Sequence, residues 1–169
     1  MQRFPHKSSL YSSPLVQDRT GFAFPYLYHM KIFLVLSICF ISLSSLAQNQ
    51  DEQKIMEAIN IQKNAWNNGD LNGFMQTYWQ NDSLLFIGKN GVTYGWQNTL
   101  NKYKKGYPDT ASMGKLNFDI LHVKKLSPLY FFVVGKWFLT RSAGNVGGHF
   151  TLLFKKIKGK WLIVSDHSS

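Results

Sequence analysis

An α+β fold is predicted for this chain by three features of its sequence. Apolar residues recur at three- and four-residue steps between Gln50 and Tyr107, the part after Leu116 is a series of runs dense in aromatic and β-branched residues, and glycine or lysine bounds each run. Between Tyr130 and Ser169 the runs YFFVVGKWFLT, HFTLLFKKI and KWLIVSDH are what strands buried on at least one face require. A curled antiparallel sheet follows, with the helices ahead of it closing over one face and leaving a pocket between.

The first helix is expected over 50–68, where Ile55, Ala58, Ile59, Gln62 and Trp66 form one stripe and Asn68-Gly69 ends it. Asp70 stands at an N-cap position before a second helix that buries Leu71, Phe74, Met75, Tyr78 and Trp79. Asp82 opens a short strand, Ser83 to Ile87, and Gly88-Lys89-Asn90-Gly91 turns the chain into another. From Gly95 to Tyr107 a third helix carries Trp96, Leu100 and Tyr103 at helical spacing, until Gly106 and Pro108 stop it. Residues 109–114 read as loop. Alternation over Leu116 to Leu126 places Leu116, Phe118, Ile120 and His122 on one face, with Asn117, Asp119, Leu121 and Val123 opposite. Tyr130 to Arg141 and His149 to Ile157 continue the meander. On the last strand the same rule groups Trp161, Ile163, Ser165 and His167, and turns Leu162, Val164 and Asp166 outward.

Domain organisation is set by a leader. Met30 and Lys31 precede IFLVLSICFISLSSLAQ, whose basic start, apolar core and Ser45-Leu46-Ala47 ending have the layout of a secretory signal peptide. Cleavage is expected after Ala47, leaving 48–169 as one domain in the periplasm or outside the cell. No stable membrane anchor should remain, because the apolar core from Ile32 to Ile41 is short of the roughly 20 residues a spanning helix needs. Residues 1–29 lie upstream of the signal and show no period, as expected of a non-native extension with translation starting at Met30. The only cysteine, Cys39, falls within the signal, so the mature domain offers no disulfide, thiolate nucleophile or thiolate metal site. Of the +10 formal charge about three units lie in the leader, leaving roughly +7. Those lysines are spread over several elements and arginine is sparse, the pattern of solvated strand ends, so no nucleic-acid partner is expected.

Several motifs carry a resemblance through their order. They are Trp66-Asn67-Asn68-Gly69-Asp70 before a short helix, Tyr78 to Asp82 before a strand, Gly91 and Gly95 before a helix, and the closing run from Gly159 to Ser169, GKWLIVSDHSS. Together they resemble the nuclear-transport-factor-2-like superfamily, in its SnoaL-like, ketosteroid-isomerase-like branch called domain of unknown function 4440. The resemblance spans Asp51 to Ser169. It implies a cone-shaped barrel, three N-terminal helices packed on a strongly curved antiparallel sheet around a cavity open at one end, and a homodimer formed through the outer sheet face. Isomerases, cyclases, a dehydratase, kinase association domains and transport adaptors share that fold, so function stays open. Carried over residue by residue, the isomerase base falls on Phe86 or Ile87, and the oxyanion-donating tyrosine falls near Gln62. Neither apolar residue takes a proton, and an amide donates less acidly than a phenol, which argues against steroid isomerisation.

Asp82, at the start of a strand near the expected cavity mouth, and His167 form the candidate catalytic acid-base pair. His122 and His149 would join them if the sheet curls as proposed. The three histidines have no metal-ligand spacing, so no metal site is assigned and no cofactor is expected. Trp66, Tyr78, Phe86, Trp96 and Phe118, with His122 and His149, are expected to bind a ligand, since aromatic walls with a few polar groups suit a small apolar or aromatic molecule. Two functions follow: an exported small-molecule binding domain, or a cofactor-free isomerase, cyclase or lyase using Asp82 and His167. A third, a dimeric protein-interaction module, would use Phe131, Val133, Trp137 and Leu139 as an apolar outer face.

Overall fold

A computed structural model describes residues 50–169, so the expected extension, signal and cleavage site fall outside the described residues. Helix α1 (residues 50–67) buries Ile55, Ile59, Gln62 and Trp66 as one stripe, as its spacing predicts. Gly69, at a φ of 74°, turns the chain in the left-handed region where glycine is unstrained. Helix α2 (Leu71–Met75) starts on Asp70, whose carboxylate accepts the Gly73 N–H at 2.8 Å. It ends earlier than its apolar pattern predicts, and Tyr78 and Trp79 are not helical. Instead Ile163 N–H donates to Thr77 O, and Trp79 N–H to Ile163 O, both at 2.9 Å. Those two bonds place Tyr78 against the sheet.

Strands β1 (Leu85–Gly88) and β2 (Gly91–Tyr94) form a short hairpin, followed by α3 (Trp96–Gly106). A one-turn helix α4 (Thr110–Met113) stands where a loop was expected, held by reciprocal bonds between Asp109 and Ser112. Four longer strands complete the chain: β3 (Lys115–Ser127), β4 (Tyr130–Thr140), β5 (Val146–Ile157) and β6 (Lys160–Ser168). The sheet order is β2-β1-β6-β5-β4-β3, and its two end strands do not pair, so the curved sheet stays unclosed. It is mixed, not wholly antiparallel as expected, because β1 runs parallel to β6. Parallel neighbours require a long crossover, and here everything from β2 to β5 lies between them.

Two register shifts give this sheet its faces. On β3 Leu121 is the extra residue between Ile120 and His122, and on β6 Val164 lies where the β5 partners step from Leu153 to Phe154. A bulge bends its strand and reverses the alternation beyond it. Past Leu121, Val123 packs on the core and His122 is exposed. Past Val164, Asp166 is buried and His167 is exposed. On β4 the inner face carries Phe131, Val133, Trp137 and Leu139, which correct the outer-face role expected of them; Phe132, Val134 and Phe138 lie outside. Both sets are apolar, so only packing against the helices distinguishes them. Gly135 is on the inner face because a Cβ there would come within 2.5 Å of the Phe150 ring.

The start of α1 is stapled to the sheet. Trp161 Nε1–H and Lys156 Nζ both donate to Asp51 Oδ1 at 3.0 Å. Burial pulls the Asp51 carboxyl upward, but the bonds from Trp161 and Lys156, with the charges of Lys156 and Lys125, hold it below its ordinary 3.8. The unfolded chain therefore protonates first, so the staple is fully present above pH 3.8 and fades as pH falls through the folded value. Asp51→Asn is expected to lower the melting midpoint at pH 7, with the gap to wild type narrowing as pH drops below 3.8. Circular-dichroism melts across pH check it; a gap independent of pH would contradict it.

Candidate functional site

Between the helices and the inner sheet face lies a cavity of about 610 Å³, within the roughly 300–1,000 Å³ of small-molecule sites. Its walls are mostly aromatic. Trp66 comes from α1, Phe74 from α2, Phe86 from β1, Tyr103 from α3, Phe118 from β3 and Phe150 from β5. Trp66 meets Phe74 edge-on at 5.3 Å and Tyr107 at 4.7 Å, while Tyr103 meets Phe74 at 5.2 Å and Phe86 at 5.4 Å. These edge-to-face contacts fix the rings as walls, so the space between them persists. Trp66 is also tied by Nε1–H to Met113 O at 3.1 Å, and Asn67 exchanges two bonds with the Leu116 backbone, joining α1 to β3.

The carboxyl of the chamber is Asp166, 2% exposed on the inner face of β6. Its Oδ2 accepts the Tyr78 hydroxyl at 2.6 Å and its Oδ1 the Ser168 hydroxyl at 2.8 Å. Burial raises the carboxyl from its ordinary 3.8 to about 6, although the Tyr78 and Ser168 bonds and the His167 charge act to lower it. Burial and then the Asp166 charge hold the Tyr78 and Tyr103 phenols well above 10, so both remain neutral donors at physiological pH. Lys102 reaches the lining with Nζ 5.0 Å from the Phe86 ring centre, bonded to Thr93 Oγ1 at 3.0 Å. Arg141 also lines the cavity, held by Nε–H to Gly144 O at 3.0 Å.

The expected site residues divide clearly. Trp66, Tyr78, Phe86 and Phe118 line the cavity. Trp96 does not: it packs on the core and gives its Nε1–H to Met75 O at 2.8 Å. Asp82 lies exposed in the turn before β1, away from the lining, and cannot serve as a base inside the chamber. His167 points away because the Val164 bulge reverses its face, and His122 is turned outward by the Leu121 bulge. His149 is exposed opposite Lys136 on the outer face. The histidines therefore do not converge, and among the described residues no group of three or more His, Cys, Asp or Glu stands in metal-binding proximity. Asp166, which alternation had turned outward, is the lining residue the sequence concealed, and Trp137, assigned to an outer face in the interaction-module reading, also lines the cavity. Gln62 carried a signal: it is an amide within an otherwise apolar buried stripe.

A mixed six-stranded sheet curved over helices, with a chamber between them, defines an α+β cavity domain. Solved structures share this fold. An NTF-2 like protein of unknown function from Shewanella oneidensis MR-1 is 44% identical, the match covering 70% of this chain and 98% of that one with a TM-score of 0.68. An NTF2-like superfamily protein from Salmonella enterica is 18% identical over 72% of this chain and 92% of that one, TM-score 0.57. An NTF2-like protein of unknown function from Pseudomonas putida KT2440 is 13% identical over 72% and 87%, TM-score 0.58. No protein-family model and no curated protein matches the chain. By its identity to the Shewanella protein, the chain belongs to the nuclear-transport-factor-2-like family.

Proposed function

We propose that the domain binds a small, apolar, largely aromatic molecule in this cavity. One observation carries the reading: a chamber of about 610 Å³ walled by interlocked aromatic rings, with a single buried carboxyl bonded to Tyr78 and Ser168. Titration with 8-anilino-1-naphthalenesulfonate tests it through dye fluorescence. Leu152, on the lining, provides the control: Leu152→Trp fills the space and is expected to weaken dye binding about tenfold or more while the far-UV spectrum is kept. Equal binding by the filled variant removes the proposal.

A second reading, a cofactor-free isomerase, cyclase or lyase, is favoured by the carboxyl at about 6, which can take and return a proton near neutral pH. In that reading Asp166 replaces Asp82 and His167 as the acid-base group. Export of residues 48–169 and dimerisation through the outer sheet face belong to the same proposal. The half-buried Phe132 and Val134 and the exposed Phe138 support the dimer, and light scattering after size exclusion measures it.

A further inference from the structure

We infer that the ligand of this cavity presents an sp² oxygen, a carbonyl or a carboxylate, to Gln62 and Trp137. The inference rests on the binding reading above and names the chemistry of that ligand. Among the described residues two buried side-chain polar atoms have no hydrogen-bond partner, Gln62 Nε2 and Trp137 Nε1. Both residues line the same cavity, from α1 and from the inner face of β4. Leaving a buried donor unmet is costly, and native proteins rarely do so without a reason. Three other indoles show the normal condition: Trp66 donates to Met113 O, Trp96 to Met75 O and Trp161 to Asp51. Trp137, a lining residue of the cavity, departs from them.

What is unmet is therefore donor capacity. Asp166 does not supply the missing acceptor: its bonds run to Tyr78 and Ser168, and none reaches Gln62 or Trp137. An indole N–H only donates, so its partner must bring lone pairs, and a carbonyl oxygen carries two while a carboxylate carries more. Lys102 and Arg141 on the lining add positive charge of the sign that draws in the negative end of such a group. If Gln62 served packing alone, a leucine would fill its place in the α1 stripe without an unmet amide.

Equilibrium dialysis against three naphthalenes of similar shape tests this: 2-ethylnaphthalene, 2-acetylnaphthalene and 2-naphthoate. The wild-type protein is expected to bind at least one oxygen-bearing probe about tenfold more tightly than the hydrocarbon. Gln62→Leu and Trp137→Phe should each erase most of that preference, read within each variant as the ratio of oxygen-bearing to hydrocarbon affinity. A preference for the naphthoate that weakens with salt identifies a carboxylate drawing on Lys102 and Arg141; equal or better binding of the ketone identifies a carbonyl. Equal binding of all three by wild type, or a preference that both variants keep, overturns the inference and leaves the cavity reading standing. Failure of all three probes, with no dye binding, overturns both. Should either variant not fold, the wild-type preference still decides.

Discussion

Asparagine at position 166 is expected to make the protein more stable at pH 7, by up to ~3 kcal/mol, the free energy equivalent of moving a carboxyl from 3.8 to about 6. Burial is the cause, because the 2% exposed carboxylate has given up its water for two hydroxyl donors. Between those two pH values the native state holds a proton that the unfolded chain has released. The contribution of this group to stability is therefore full below 3.8, falls as pH rises to about 6, and is flat above. Asp166→Asn removes the charge yet keeps an acceptor for Tyr78. Urea unfolding from pH 4 to 8 checks the sign: the wild-type curve should carry a component that declines across that window and is missing from the variant. Identical pH profiles would refute the argument. A buried acid retained against stability is the trade expected at a working site, and the same variant should alter ligand binding or turnover in the chamber.

The largest loss is expected at Phe131→Ala, about 3–5 kcal/mol, in the range for truncating a buried aromatic residue. Phe131 is 1% exposed and meets Trp161 edge-on at 5.0 Å, and Trp161 in turn holds Asp51 of α1. One truncation thus opens a cavity and loosens the helix staple. Phe138 is on the same strand and is 47% exposed on the other face; its truncation should cost within about 0.5 kcal/mol in a monomer. Paired urea titrations of the two variants decide which face of β4 is the core. If Phe138→Ala instead lowers stability in proportion to protein concentration, the outer face is a contact between copies.

Much of the fold was legible because its signals are local. The stripe from Ile55 to Trp66, the cap at Asp70, the stop at Pro108 and six strand-like runs each place an element by spacing or turn chemistry alone. The shortened α2 was not legible, since Tyr78 continues an apolar helical pattern and leaves it only because its neighbours Thr77 and Trp79 bond Ile163, far along the chain. The parallel β1–β6 pair was hidden for the same reason: strand neighbours distant in sequence have no local mark. Of the candidate site, the aromatic walls at Trp66, Tyr78, Phe86 and Phe118 were readable as large apolar residues near turns, and Gln62 as an amide out of place.

By itself, then, the sequence determined the α+β class, the order of elements and the apolar surface available for a core. Those follow from periodicity and propensity, which act over a few residues. Tertiary structure alone decided which residues meet inside the chamber. One extra residue at Leu121 and another at Val164 reverse two strand faces, turning His122 and His167 to solvent and Asp166 to Tyr78. A bulge is a choice of register made jointly by two strands and the helices packed on them, and a single strand read by alternation carries no record of it.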